Sequence, residues 1–152
     1  MKIGIDLGGT KIEIVALEQN ISGEYQEIYR RRCETPQGQY QQTLRAICDL
    51  IDEAEAHYNQ QATIGIGIPG AISAQTNLVK NANSTCLIGK PLQHDLEDLL
   101  NRAIRINNDA NCMTVSEATN GVARNEEIVL RKEYFFVNSE IALGQRVHVQ
   151  TW

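Results

Sequence analysis

The chain has 152 residues, 42% of them hydrophobic and 22% charged, and a formal net charge of −5. That composition is ordinary for a soluble globular domain, and its acidity excludes a nucleic-acid partner, because a phosphate backbone demands a basic surface. No apolar run approaches the roughly 20 residues of a membrane span, and the first six residues lack the apolar core of a signal peptide, so the expectation is a cytoplasmic protein with no membrane partner.

Ile3, Ile5 and Leu7 alternate with Gly4 and Asp6, which predicts a strand over residues 2–7 with one apolar face. Gly8-Gly9 marks a tight turn, and Ile12, Ile14 and Val15-Ala16-Leu17 predict a second strand, completing a β-hairpin. Residues 25–33 predict a third strand, whose run Arg30-Arg31-Arg32 is read as facing solvent. After the loop at residues 35–38, Tyr40, Leu44, Ile47, Ile51, Ala54 and Tyr58 recur on a helical period. Their stripe predicts a helix packed on the sheet. Residues 62–68 predict a strand in which Ile64, Ile66 and Ile68 point one way and Gly65 and Gly67 the other. A glycine face lets a second backbone or a ligand come close. Residues 75–90 read as a long polar loop, Leu96, Leu99, Leu100 and Ala103 as a short helix from about Pro91, and residues 104–106 as a short strand. Asp109 then opens a helix running to about Asn120-Gly121. The order implies an α/β domain with a mixed sheet and flanking helices.

Cys33, Cys48, Cys86 and Cys112 lie far apart and form no Cys-x-x-Cys pair, so they are expected as reduced thiols. His57, His94 and His148 show no metal-ligand spacing, and no zinc site is expected.

Three segments carry candidate chemistry. In Asp6-Leu7-Gly8-Gly9-Thr10-Lys11 the two glycines let backbone N–H groups approach a phosphate, Thr10 adds a hydroxyl and Lys11 a positive charge. Asp6, at a strand end, is placed to hold a phosphate-bound Mg²⁺ directly or through water. The bare glycines fit a plain hairpin turn equally well; the flanking acid and Thr-Lys favour the phosphate reading. The segment has neither the P-loop nor the Gly-x-Gly-x-x-Gly spacing. In Asn107-Asn108-Asp109-Ala110-Asn111, Asp109 fits a helix cap by spacing alone. It also fits a general base that takes the proton from a sugar hydroxyl as that oxygen attacks the γ-phosphate. The turn Ile68-Pro69-Gly70-Ala71-Ile72 and the loop Lys80-Asn81-Ala82-Asn83-Ser84-Thr85 offer short amides and hydroxyls suited to a sugar. Gly70, Ala71, Asn81, Asn83, Asn108 and Asp109 are the candidate sugar-contacting residues.

Taken in this order, the motifs resemble the ROK family (repressor, open reading frame, kinase), and most closely its bacterial fructokinase and mannokinase members. Asp6 to Lys11 looks like the family's first phosphate loop, and Gly65-Ile66-Gly67-Ile68-Pro69-Gly70 like its glycine-rich strand and turn. The Lys80–Thr85 segment resembles its sugar loop, and Asn108-Asp109-Ala110-Asn111 its catalytic-base motif. The resemblance covers about residues 1–123. It implies a ribonuclease-H-like lobe of the actin/hexokinase type, ATP and Mg²⁺ as cofactors, and a hexose such as fructose as substrate.

Beyond that, residues 124–152 hold one glycine, Gly144, and no cysteine. They lack the second glycine-rich phosphate loop and the later elements the family pattern has. They are read as an unrelated tail, of the kind a truncation or frameshift leaves. The expectation is an N-terminal lobe with little kinase activity by itself, and the rival reading is a non-catalytic sugar-binding or self-associating module that forms a homo-oligomer through the lobe's exposed face. A repressor is disfavoured, because the phosphate loop begins at residue 6, leaving no room before it for a helix-turn-helix.

Overall fold

The computed structural model describes residues 1–119, 134–137 and 140–143. The chain divides into two compact units, Met1–Asp109 and Ala110–Trp152. The first holds a five-stranded mixed sheet. Its strands are β1 (Lys2–Leu7), β2 (Lys11–Gln19), β3 (Tyr25–Glu34), β4 (Thr63–Ile68) and, after the short strands β5 (Ala71–Ile72) and β6 (Val79–Lys80), β7 (Arg105–Asn108), in the order β3-β2-β1-β4-β7. The β1–β2 and β2–β3 pairs are antiparallel, and β1–β4 and β4–β7 are parallel. Helix α1 (Tyr40–Tyr58) connects β3 to β4, and helix α2 (Leu92–Leu100) precedes β7.

Side-chain periodicity sorts the two faces. Ile3, Ile5, Leu7, Ile12, Ile14, Ile64, Ile66 and Ile68 are all buried, and they form one core with Leu44, Ile47, Ile51 and Ala54 of α1. Each such side chain removed from water contributes about 1.5–3 kcal/mol, so the alternation that predicted the strands is also what holds the helix to them. On the alternate positions Gly4 lies opposite Gly65, and Asp6 opposite Gly67. A Cβ added to Gly4 or Gly65 would meet nothing within 4 Å.

Several boundaries differ from the sequence expectation. The polar stretch 75–90 is not one loop: β5 and β6 pair antiparallel, and Thr85–Leu87 forms a 3-10 turn. Leu78 and Ser73 close the β5–β6 hairpin by a 2.9 Å backbone bond. Helix α2 ends at Leu100, so Ala103 is outside it. Leu92 and Leu96 face the core, while Leu99 is 58% exposed. The strand expected at 104–106 runs on through Asn108, so Asn107 and Asn108 are strand residues. The arginine run is exposed, as expected. Arg30 and Arg32 both pair with Glu13, and Arg31 pairs with Glu53 at 3.1 Å.

The second unit begins within helix α3 (Asp109–Thr119), where the Thr114 hydroxyl donates to the Ala110 carbonyl at 2.9 Å. It also contains an antiparallel pair, β8 (Tyr134–Val137) and β9 (Glu140–Leu143). The expected helix stop at Asn120-Gly121 lies outside the described residues. No helix among the described residues is long and apolar enough to cross a membrane.

Candidate functional site

Residues 8–10 join β1 to β2. The Gly8 N–H donates to the Lys11 carbonyl at 3.0 Å, and a Cβ on Gly8 would stand 2.8 Å from that same oxygen. Closure of the turn therefore demands glycine at position 8. Gly9 and Thr10 form its exposed tip. Thr35, which is 9% exposed, secures the turn from behind. Its hydroxyl donates to the Gly8 carbonyl at 2.8 Å, and its N–H donates to the Thr10 carbonyl at 2.9 Å.

The turn after β4 is held just as tightly. A Cβ on Gly70 would lie 2.9 Å from both the Ala82 Cβ and the Lys80 carbonyl oxygen, so only glycine lets the 80–83 loop close on it. The Asn83 N–H donates to the Pro69 carbonyl at 3.2 Å. Asn81 has a left-handed backbone, with φ of 54°, and Asn77 another at 57°. Asparagine tolerates that region better than most residues, which gives Asn81 a conformational reason to be asparagine besides sugar contact. Ala71 is half-buried at the start of β5.

Asn108 joins these segments. Its side-chain amide donates to the Gly70 carbonyl at 2.8 Å. Asp109 follows directly, exposed at the end of β7. The loop also approaches the 8–10 turn, since a Cβ on Gly9 would come within 3.6 Å of the Ser84 hydroxyl. Asn111, part of the predicted base motif, belongs to the second unit.

Asp6 has its carboxyl pushed above the usual carboxylate range, first by partial burial and then by the negative charges of Asp109 and Glu13. The Asp109 charge thus reaches the Asp6 carboxyl. Among the described residues no group of three or more His, Cys, Asp or Glu side chains is placed to hold a metal. Mg²⁺ does not need one: it takes oxygen ligands, usually one or two carboxylates completed by water and phosphate. Asp6, a carboxylate at the strand end beside the 8–10 turn, fits that donor set.

A cavity of about 330 Å³ lies beside the turn, at the small end of the range for small-molecule sites, roughly 300–1,000 Å³. Gly9 and Thr10, residues 35–38, Thr43 of α1 and residues 83–87 line it. Of the predicted residues it includes Gly9, Thr10 and Asn83, but not Gly70, Asn81 or Asp109. Thr35 was missed by the sequence reading, where it was only the first residue of a loop. A threonine before a proline carries no signal of what its hydroxyl will meet.

The ROK family model matches residues 2–131. A curated relative, the N-acetyl-D-glucosamine kinase of Yersinia pestis bv. Antiqua (strain Nepal516), is 43% identical over 118 residues, which cover 78% of this chain and 44% of that protein. Two solved structures share the fold. The ROK hexokinase from Thermus thermophilus superposes with a TM-score of 0.69 at 23% identity, over 95% of this chain and 49% of that one. The ROK family glucokinase from Streptomyces griseus in complex with glucose and AMPPNP gives 0.70 at 20% identity, over 95% and 47%. The chain therefore spans about half the length, or less, of these proteins.

Proposed function

The chain belongs to the ROK family, and on that premise we propose that it supplies the phosphate- and sugar-binding N-terminal lobe of an ATP-dependent sugar kinase. The observation that carries this reading is the meeting of three separate motifs within one unit. Asn108 is bonded to Gly70, the loop closed on Gly70 reaches Gly9 through Ser84, and Asp6 and Asp109 interact by charge.

In this reading Gly9, Thr10 and Lys11 receive the phosphates, and Gly70, Ala71, Asn81, Asn83 and Asn108 surround the hexose. Asp109 accepts the proton of the attacking hydroxyl, the role that phosphoryl transfer gives to a positioned carboxylate. Asp6 would hold Mg²⁺, directly or through water, and the ion, when bound, neutralises charge on the phosphates. Relatives named as N-acetyl-D-glucosamine kinases support N-acetylglucosamine as the first candidate sugar. Fructose, implied by the resemblance of the Lys80–Thr85 loop, is the second.

Positioning supplies most of the catalysis of phosphoryl transfer. Residues 1–123 bring one phosphate loop, and residues 124–152 carry no second one in their sequence. The 152-residue chain is accordingly expected to bind sugar and to turn over slowly or not at all. Calorimetry with N-acetylglucosamine, fructose and glucose, followed by a coupled ADP-release assay, tests both points. Binding of N-acetylglucosamine ahead of fructose is expected. Failure to bind any hexose would overturn the sugar-lobe reading. Turnover at ordinary kinase rates, about 1–100 per second, would overturn the half-cleft reading.

A further inference from the structure

We propose that Thr35 is the positioning residue of the phosphate turn, aiming the Gly9 N–H group at a bound phosphate. The inference rests on the kinase-lobe reading above and deepens it at one site.

The argument starts from the peptide unit. A trans peptide is planar, so a carbonyl and the N–H of the next residue point in opposite directions. Fixing one fixes the other. Thr35 holds two carbonyls of the same turn: Gly8 through its hydroxyl at 2.8 Å, and Thr10 through its own N–H at 2.9 Å. The N–H of Gly9 is therefore turned away from the Thr35 hydroxyl, while the bond to Thr10 and the Gly8 N–H bond to the Lys11 carbonyl at 3.0 Å hold the other arm of the turn in place. A backbone amide aimed outward from a turn is a donor for an anion. Glycine at the tip leaves no Cβ in the way. The clamp is itself firmly placed. Thr35 is almost fully buried, and it follows directly on β3, which is laddered to β2 from Lys11 onward.

Thr35 contributes no charge and need touch no ligand. It sets the orientation of groups that do, and it removes the entropy a free glycine turn would lose on binding phosphate.

The test uses the 152-residue chain and three variants of one position. Thr35→Val keeps the β-branched shape and the backbone N–H and deletes only the hydroxyl. Thr35→Ser keeps the hydroxyl, and Thr35→Ala removes both hydroxyl and methyl. Mg·ATP and N-acetylglucosamine affinities are measured by calorimetry, with thermal unfolding in parallel. The Gly9 amide resonance is followed by NMR as Mg·ATP is added. We expect Thr35→Val to weaken Mg·ATP binding about three- to tenfold, the weight of one hydrogen bond, with sugar affinity unchanged and Thr35→Ser close to wild type. In the wild type the Gly9 amide should shift on ATP addition, and in Thr35→Val its shift should shrink.

Thr35→Val lowering the unfolding temperature while leaving ATP affinity intact would reduce Thr35 to a structural residue and overturn the proposal. If Thr35→Val fails to fold, the wild-type and Thr35→Ser titrations decide: a Gly9 amide that ignores ATP in both overturns it equally. A wild type that binds sugar but no ATP would remove the phosphate turn from the function altogether. A wild type that binds neither would overturn the kinase-lobe reading itself.

Discussion

The central sheet with α1 and the segment from Pro69 to Lys90 are ordered by different means. In the sheet, side chains do the ordering: alternating isoleucines on β1, β2 and β4 are buried against one stripe of α1. In residues 69–90, where Val79, Ala82 and Leu87 also reach the core, backbone geometry sets the turns. Gly70 lets Ala82 and Lys80 approach to contact distance, Asn77 and Asn81 adopt left-handed conformations, and main-chain bonds such as Val79 to Lys90 at 3.0 Å close the turns. A region built by burial resists small changes of backbone and yields to changes of volume. A region built by close approach behaves the other way, and that contrast can be tested.

The largest expected effect lies in the sheet. Ile66→Ala should cost about 2–5 kcal/mol of stability by leaving a cavity in the core, read as a lower midpoint in urea. Next comes Gly70→Ala. Its methyl must displace Ala82 and the Lys80 carbonyl, an overpacking cost of about 1–3 kcal/mol. Sugar affinity should fall with it, since the loop carrying Asn81 and Asn83 is pushed out. Calorimetry that finds wild-type sugar affinity in a folded Gly70→Ala protein would show that the loop is not the sugar site.

Asn81 separates conformation from contact. Asn81→Ala should lose about 1 kcal/mol to its left-handed backbone, while Asn81→Gly should not. If Asn81 touches sugar, Asn81→Gly keeps its melting temperature and loses affinity; if conformation alone selects asparagine, it keeps both.

The smallest effect concerns Asp6. Its carboxyl titrates higher in the folded protein than in the unfolded chain, so the folded state keeps the proton at a pH where the unfolded state has released it. The Asp6 contribution to stability therefore falls as pH rises from the unfolded value of 3.8 through the raised folded one. Asp6→Asn should melt higher than wild type at pH 7, and the gain should vanish below the unfolded pKa. Mg²⁺ should raise the wild-type melting temperature more than that of Asp6→Asn.

The same contrast explains what was legible beforehand. Period-2 and period-3.6 patterns carry the sheet and α1, because burial leaves its trace in residue type at fixed spacing. The tight turn at Gly8 and the close approach at Gly70 are also legible, since both leave glycine behind. The stripe that predicts α2 extends to Ala103 and omits Leu92, because α2 is short and its period ambiguous; Leu92 and Leu96 are its buried residues. The β5–β6 pair was missed because two-residue strands have no period to detect. Thr35 was missed because its partners are carbonyls, which every residue has, so no pattern of residue types announces them.

The bond from the Asn108 amide to the Gly70 carbonyl has a mechanical meaning. It ties the end of β7 to the turn after β4, two strands already laddered from Gly65–Arg105 to Ile68–Asn108. The stiffness of the sheet is thereby extended past its last rung, into the turn. Strain applied at Asp109 is shared with Gly70 rather than absorbed between them. A ligand that touched both would meet one rigid edge rather than two independent ones.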